Sequence, residues 1–165
     1  MDSELYHGKF LNVHRKSVVC ADGRAAMVEY IDHPGAVLIV PVLDDGRIVM
    51  IRQYRAVLEQ EIWELPAGTL EDGEDPASCA YRELEEETGY RAHSVERIGE
   101  IVPVPGYSTE RIVMFRARGL ERGRPQPMSD ERITVHPLTR DEVDELVVKG
   151  QIIDAKTLSA LYLTR

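Results

Sequence analysis

Gly68-Thr69-Leu70-Glu71-Asp72-Gly73-Glu74, then seven residues, then Arg82-Glu83-Leu84-Glu85-Glu86-Glu87-Thr88-Gly89-Tyr90, is the stretch that decides the reading of this 165-residue chain. Inside it, Asp75-Pro76 predicts a helix start, because Asp is a favoured N-cap and proline suits the first helical position. Gly89 is placed to close the same helix as a C-cap glycine. At helical spacing Ala77, Ala80, Tyr81, Leu84 and Thr88 share one stripe, expected to face the core. Glu83, Glu86 and Glu87 are expected on the opposite side, three and four residues apart, where their carboxylates converge. Like charges at that spacing cost a helix a few tenths of a kcal/mol each, roughly. Arg82 can pair with Glu86 but cannot neutralise all three. A hard divalent cation relieves the conflict, since Mg²⁺ takes oxygen ligands and completes its shell with water and substrate phosphate. Spacing alone leaves two readings open, a metal site and a solvated acidic face.

The charge of the whole chain is concentrated in this region. From Glu59 to Glu87 there are eleven acids and one base, a net −10, whereas the remaining residues hold nineteen bases and eighteen acids, a net +1. A chain of net charge −9 with no basic patch argues against nucleic-acid binding. Hydrophobic residues make up 43% and charged residues 30%, which excludes a disordered, collagenous or coiled-coil chain. The longest apolar run, Ala36–Val42, contains a proline and falls well short of the roughly 18–20 residues of a membrane span. The acidic start Met1-Asp2-Ser3-Glu4 has no leader character. Cys20 and Cys79 read as reduced thiols, so a cytoplasmic location is expected.

Neither a repeat nor a Ser/Gly-rich linker divides the chain. Strands are expected at Phe10–Cys20 and Arg24–Ile31, joined by Ala21-Asp22-Gly23 as a hairpin. Ala36–Leu43 reads as a strand buried on both faces. Asp44-Asp45-Gly46 turns it into Arg47–Tyr54, with a short strand at Glu61–Leu65 and a backbone break at Pro66-Ala67-Gly68. Further strands are expected near Ser94–Val102, Arg111–Arg118 and Arg132–His136, and helices near Thr139–Lys149 and Asp154–Leu163. This mixture reads as α/β or α+β with a mixed sheet.

The opening stretch resembles the Nudix box: Gly, five residues, Glu, seven residues, Arg-Glu, an aliphatic, any residue, Glu-Glu, any residue, Gly, an aliphatic. Gly68, Glu74, Arg82, Glu83, Leu84, Glu86, Glu87 and Gly89 match, and Tyr90 departs from the final aliphatic. The resemblance implies an α/β/α sandwich around a mixed sheet, and hydrolysis of nucleoside diphosphates linked to another moiety with Mg²⁺ or Mn²⁺. By the same resemblance Glu83, Glu87 and the Ala67 carbonyl are metal ligands. Glu86 is a further ligand or a base, and Arg82 orients the glutamates with Glu74 as its partner.

Outside the box the chain resembles the branch that hydrolyses ADP-ribose and related nucleoside diphosphate sugars, with GDP-mannose as an alternative substrate. A catalytically silent Nudix-like binding module is the alternative of another class, but the intact box argues against it. Arg52 and Arg55 are read as two arginines on one strand face that fork onto phosphates, with Glu64 beside them in Trp63-Glu64-Leu65-Pro66. Pro105-Gly106-Tyr107-Ser108-Thr109-Glu110 resembles the branch's mobile loop, making Glu110 either a general base or an exposed loop glutamate. Glu131 matches a second, more variable acidic position expected to serve the metal.

In this branch the N-terminal strands cross to a second subunit. Residues 1–34 are therefore expected to form a dimerisation segment ahead of a hydrolase domain at 35–165, giving a homodimer. Arg24, Glu29, Tyr30 and His33 become candidates for nucleoside contact on position alone. His33, before Pro34, reads better as a turn residue, and Tyr30 either stacks on a base or packs in its strand. Cys79 and Trp63 read as packing.

Overall fold

The computed structural model describes residues 3–8, 11–123 and 132–165. The elements in chain order are β1 (Ser3–His7), β2 (Asn12–Val19), β3 (Ala25–Asp32), β4 (Ala36–Pro41), β5 (Ile48–Arg55), β6 (Gln60–Glu64) and β7 (Ala67–Thr69). Then follow α1 (Pro76–Thr88), β8 (Tyr90–Ile101), β9 (Ile112–Arg122), β10 (Ile133–Leu138), α2 (Arg140–Val148) and α3 (Ala155–Leu163). The expected α/β class with a mixed sheet is what forms. β4 runs parallel to β9 and antiparallel to β7, and β8 pairs antiparallel with β9, giving the order β7-β4-β9-β8. A second sheet, β10-β5-β6, is antiparallel.

The layers follow from the alternation of β4. All six of its residues are buried. Ala36, Leu38 and Val40 pack into a cluster with Met50, Met114, Val143 of α2 and Ala160 and Leu161 of α3. Val37 and Ile39 pack the other way, with Val49, Phe115 and Cys79, Ala80 and Leu84 of α1. A strand covered on both faces needs apolar residues at every position, which explains the unbroken Val/Ile/Leu run. The helices thus lie on opposite faces, α1 on one and α2 with α3 on the other.

Two strands lie outside the expectation. β1 pairs antiparallel with β2, which pairs antiparallel with β3, making a three-stranded N-terminal sheet. β7 occupies the expected break: its residues pair with β4, Leu38 with Ala67 and Ala36 with Thr69. No position of β1, β2 or β3 is fully buried, so no helix covers that sheet among the described residues. Among those residues no helix is long and apolar enough to cross a membrane.

Candidate active site

α1 begins and ends where its caps dictate. The Asp75 carboxylate accepts from the Ser78 N–H at 3.1 Å, Pro76 opens the first turn, and Gly89 closes the helix at φ 72°. The expected division of its faces needs correcting. Tyr81 is 38% exposed, whereas Glu83 and Glu87 are only 6% and 4% exposed. The reason is β7, which docks on this edge of α1 and covers the two carboxylates. Cys79, expected as packing, is fully buried, and its burial pushes the thiol pKa up to about 12.

Buried carboxylates need partners. The Ala67 N–H donates to Glu87 Oε2 at 3.0 Å. Arg82 donates from Nη1 to Glu83 Oε1 at 2.6 Å and to Glu86 Oε2 at 3.2 Å. Its other edge forks onto Glu74, with both bonds at 2.9 Å. The bonds from Arg82, then from the Glu71 N–H, hold the Glu74 carboxyl down at about 2. Arg82 therefore ties Glu74, Glu83 and Glu86 together, with Glu74 as the outer anchor. Glu86 is the more open of the three helix carboxylates, with 37% of its side chain exposed.

Gly68 is explained by the same contact. A Cβ built on it would lie 1.9 Å from Glu83 Cδ and 2.0 Å from Oε1. The backbone of β7 thus runs directly against the Glu83 carboxylate, and only glycine leaves room. Gly68→Ala is expected to fold, because a side-chain end can move aside. It should lower turnover by about 10–100-fold by displacing Glu83, since misplacement on the order of 1 Å can cost about a hundredfold. Steady-state rates alongside a thermal melt check this; parental turnover would mean that the position of Glu83 does not matter.

A cavity of about 370 Å³ opens beside these residues, lined among others by Ala67, Gly68, Thr69, Arg55, Glu110 and Lys156. Glu110 reaches it from the irregular segment between β8 and β9. That segment is tied to the N-terminal sheet: the Ile31 N–H donates to the Tyr107 carbonyl at 2.8 Å, and the Thr109 N–H to the Ile31 carbonyl at 3.0 Å. His33 behaves as a turn residue, its Nδ1 accepting from the Gly35 N–H at 3.0 Å, while Nε2 stands 4.0 Å from Glu110.

Across the cavity Arg55 grips Glu64 with two bonds at 2.6 and 2.7 Å, and Lys156 bonds the same carboxylate. Glu64 is fully buried. Burial opposes its ionisation, but the hydrogen bond from Arg55 and the charge of Lys156 outweigh it and hold the carboxyl below its ordinary range. Lys156 also pairs with Asp154 at 3.0 Å. Neither Lys156 nor Asp154 was expected here. Asp154 was legible only as the start of a helix, whose N–H at Thr157 it caps at 3.0 Å. Thr157 in turn accepts from the Leu65 N–H at 2.9 Å, fixing the approach to β7.

Arg52 does not join Arg55, as one strand face would require. They are three residues apart, and side chains alternate with a period of two, so they leave β5 on opposite faces. Arg52 pairs with Glu61 at 3.1 Å and lies over the Trp63 ring, 5.4 Å from its centroid. Arg24 pairs with Asp22 at the β2–β3 turn. Tyr30 stacks on His14 at 5.6 Å, beneath Lys16. Neither lines the cavity beside α1, and Glu29 pairs with Arg15 on the N-terminal sheet. Glu131 lies outside the described residues.

The donor set suits a hard cation. Glu83, Glu86, Glu87 and the Ala67 carbonyl offer only oxygen, the donor type that Mg²⁺ and Mn²⁺ take, and Glu83 and Glu87 are buried beside it. Among the described residues no three acidic, His or Cys side chains already form a closed cage. An octahedral ion that keeps waters and takes substrate oxygens needs no such cage.

An α/β/α sandwich with a carboxylate-rich helix clamped against a glycine-bearing strand defines the class of this site. The chain belongs to the NUDIX family, whose domain matches residues 32–161. It is 37% identical over 160 residues to the ADP-ribose pyrophosphatase of Bacillus subtilis, covering 96% of this chain and 86% of that protein. It is 36% identical over 160 residues to the methanol dehydrogenase activator of Bacillus methanolicus, with the same coverage of both chains. The crystal structure of an ADP compounds hydrolase superimposes with a TM-score of 0.87 over 100% of this chain and 90% of that one, at 22% identity.

Proposed function

We propose that this Nudix hydrolase splits the diphosphate bond of ADP-ribose or a closely related nucleoside diphosphate sugar. Water adds its oxygen to one phosphorus, the bridging P–O bond breaks, and a nucleoside monophosphate and a sugar phosphate leave. The observation that carries this reading is the single cavity on which three things converge: the β7 backbone against Glu83 and Glu87, the cations Arg55 and Lys156, and the loop carboxylate Glu110. The naming of the Bacillus subtilis relative supports ADP-ribose as the first substrate to test.

Mg²⁺ or Mn²⁺, held by Glu83, Glu87, Glu86 and the Ala67 carbonyl, would neutralise phosphate charge and polarise the bond under attack. The chain's own residues do the rest. Arg82, anchored by Glu74, keeps Glu83 and Glu86 in one orientation. Arg55 and Lys156 offer positive charge to the diphosphate, while Glu64 holds both in place. Glu110 accepts the proton that the attacking water gives up. A panel of ADP-ribose, GDP-mannose and other nucleotide sugars, read by product chromatography, tests the reading. AMP and ribose 5-phosphate from ADP-ribose are expected, and a panel with no turnover refutes it.

The functional unit is a homodimer in the cytoplasm, built through residues 1–34. The N-terminal sheet exposes Tyr6, Val19 and Met27 and carries no covering helix among the described residues. It also holds the Glu110 segment through Ile31, which makes it part of the site's frame. Light scattering at micromolar concentration should give about twice 18.7 kDa. A fully active monomer would refute the shared frame.

A further inference from the structure

At the other end of β4 lies a second cavity, of about 810 Å³. Ala36 and Val37 line the cavity beside α1, whereas Val40 lines this one. At ~3.3 Å per residue, Val37 and Val40 are roughly 10 Å apart along the strand. β9 runs in parallel register, so its residues grade the same way. Ile112 and Met114 lie in the core cluster under α2 and α3, and the next two residues at the same period are Arg116 and Arg118. A sheet face that is apolar at one end becomes cationic at the other.

The charge around this cavity is poorly compensated. Its lining includes Arg116, Arg118, Arg140 and Arg165, and one acidic side chain, Asp144. Asp144 stands 3.3 Å from Arg140. Arg116 reaches Glu96 only at 4.0 Å, and Arg118 has no ion pair among the described residues. The chain carries 29 acids and a net −9, so carboxylates were plentiful had neutralising these arginines been the requirement. Val40 and Ile48 form an apolar floor, which strengthens electrostatic attraction above it. Guanidinium groups present paired donors that match phosphate oxygens.

We propose that this cavity binds a small polyphosphate anion, at a site separate from the hydrolytic one. Metal-free protein in excess chelator should be titrated calorimetrically with inorganic tripolyphosphate and, separately, with ATP. Saturable binding of tripolyphosphate is expected. Arg118→Gln, at an exposed strand position, should raise its Kd at least about tenfold, and Arg116→Gln with Arg118→Gln should abolish it, with circular dichroism showing both variants folded. Tighter binding of ATP than of tripolyphosphate would support a nucleotide as the natural ligand; equal binding would support an inorganic or non-nucleoside polyphosphate. No saturable binding, or a Kd unchanged in folded Arg118→Gln, overturns the proposal.

Discussion

Glu87→Gln is expected to lower turnover at least about 100-fold, a barrier increase of roughly 2.7 kcal/mol, while the protein stays folded. Glu87 is 4% exposed and accepts the Ala67 N–H at 3.0 Å. Glutamine keeps the length of the side chain and an acceptor oxygen for that N–H, and it is as good a helix former. What it loses is one negative charge at the point where β7 meets α1. In the protein without a cation that loss relieves repulsion with Glu83, so the melting temperature should hold or rise. With the cation that we propose, it would remove a ligand, so metal affinity and turnover should fall together. Steady-state kinetics across a Mg²⁺ titration, with a thermal melt, separates the two effects. Turnover within a few fold of the parent would remove Glu87 from the cation's shell.

Glu110→Gln is expected to lower kcat by about 10²–10⁴-fold, the usual worth of a general base, with KM and metal affinity nearly unchanged. The carboxylate lines the same cavity as Arg55 and Lys156, with one-quarter of its side chain exposed. It is away from the Arg82 network, which leaves its oxygens free of the constraint that Arg82 places on Glu86. Its segment is pinned to β3 through Ile31 and its own N–H bonds Ser108 Oγ at 3.1 Å. The loss should therefore be chemical, with little change in stability. Glu86 and Glu131 are the competing bases. If Glu110→Gln keeps most of its kcat while Glu86→Gln or Glu131→Gln loses it, the proton goes elsewhere and the Glu110 segment serves binding.

Much of this site is written locally. The Asp75-Pro76 start, the Gly89 stop and the box spacing place α1 to the residue. The apolar run from Ala36 places β4 between two helical layers. What sequence could not reach depends on partners far along the chain. Spacing of acidic residues on a helix leaves a metal site and a solvated face both open, and the burial of Glu83 and Glu87 becomes visible only once β7 docks on them. Lys156 bonds Glu64 across 92 residues, a distance no local pattern spans. Pro66-Ala67-Gly68 reads as a break because the three-residue strand that begins at Ala67 has too little length to show alternation. Arg52 and Arg55 part for a simpler reason: a three-residue offset inverts the face in any regular strand.

If the carboxylates clamped between α1 and β7 work as a divalent-cation site for diphosphate hydrolysis, as we propose, turnover of ADP-ribose requires the cation. Phosphorus NMR of ADP-ribose incubated with chelator-treated protein tests it directly, before and after excess Mg²⁺ is added. The expected result is an unchanged diphosphate signal in chelator, replaced after Mg²⁺ by the two phosphomonoester signals of AMP and ribose 5-phosphate. Full turnover in excess chelator, or an intact diphosphate after Mg²⁺ or Mn²⁺ with folded protein, would contradict it.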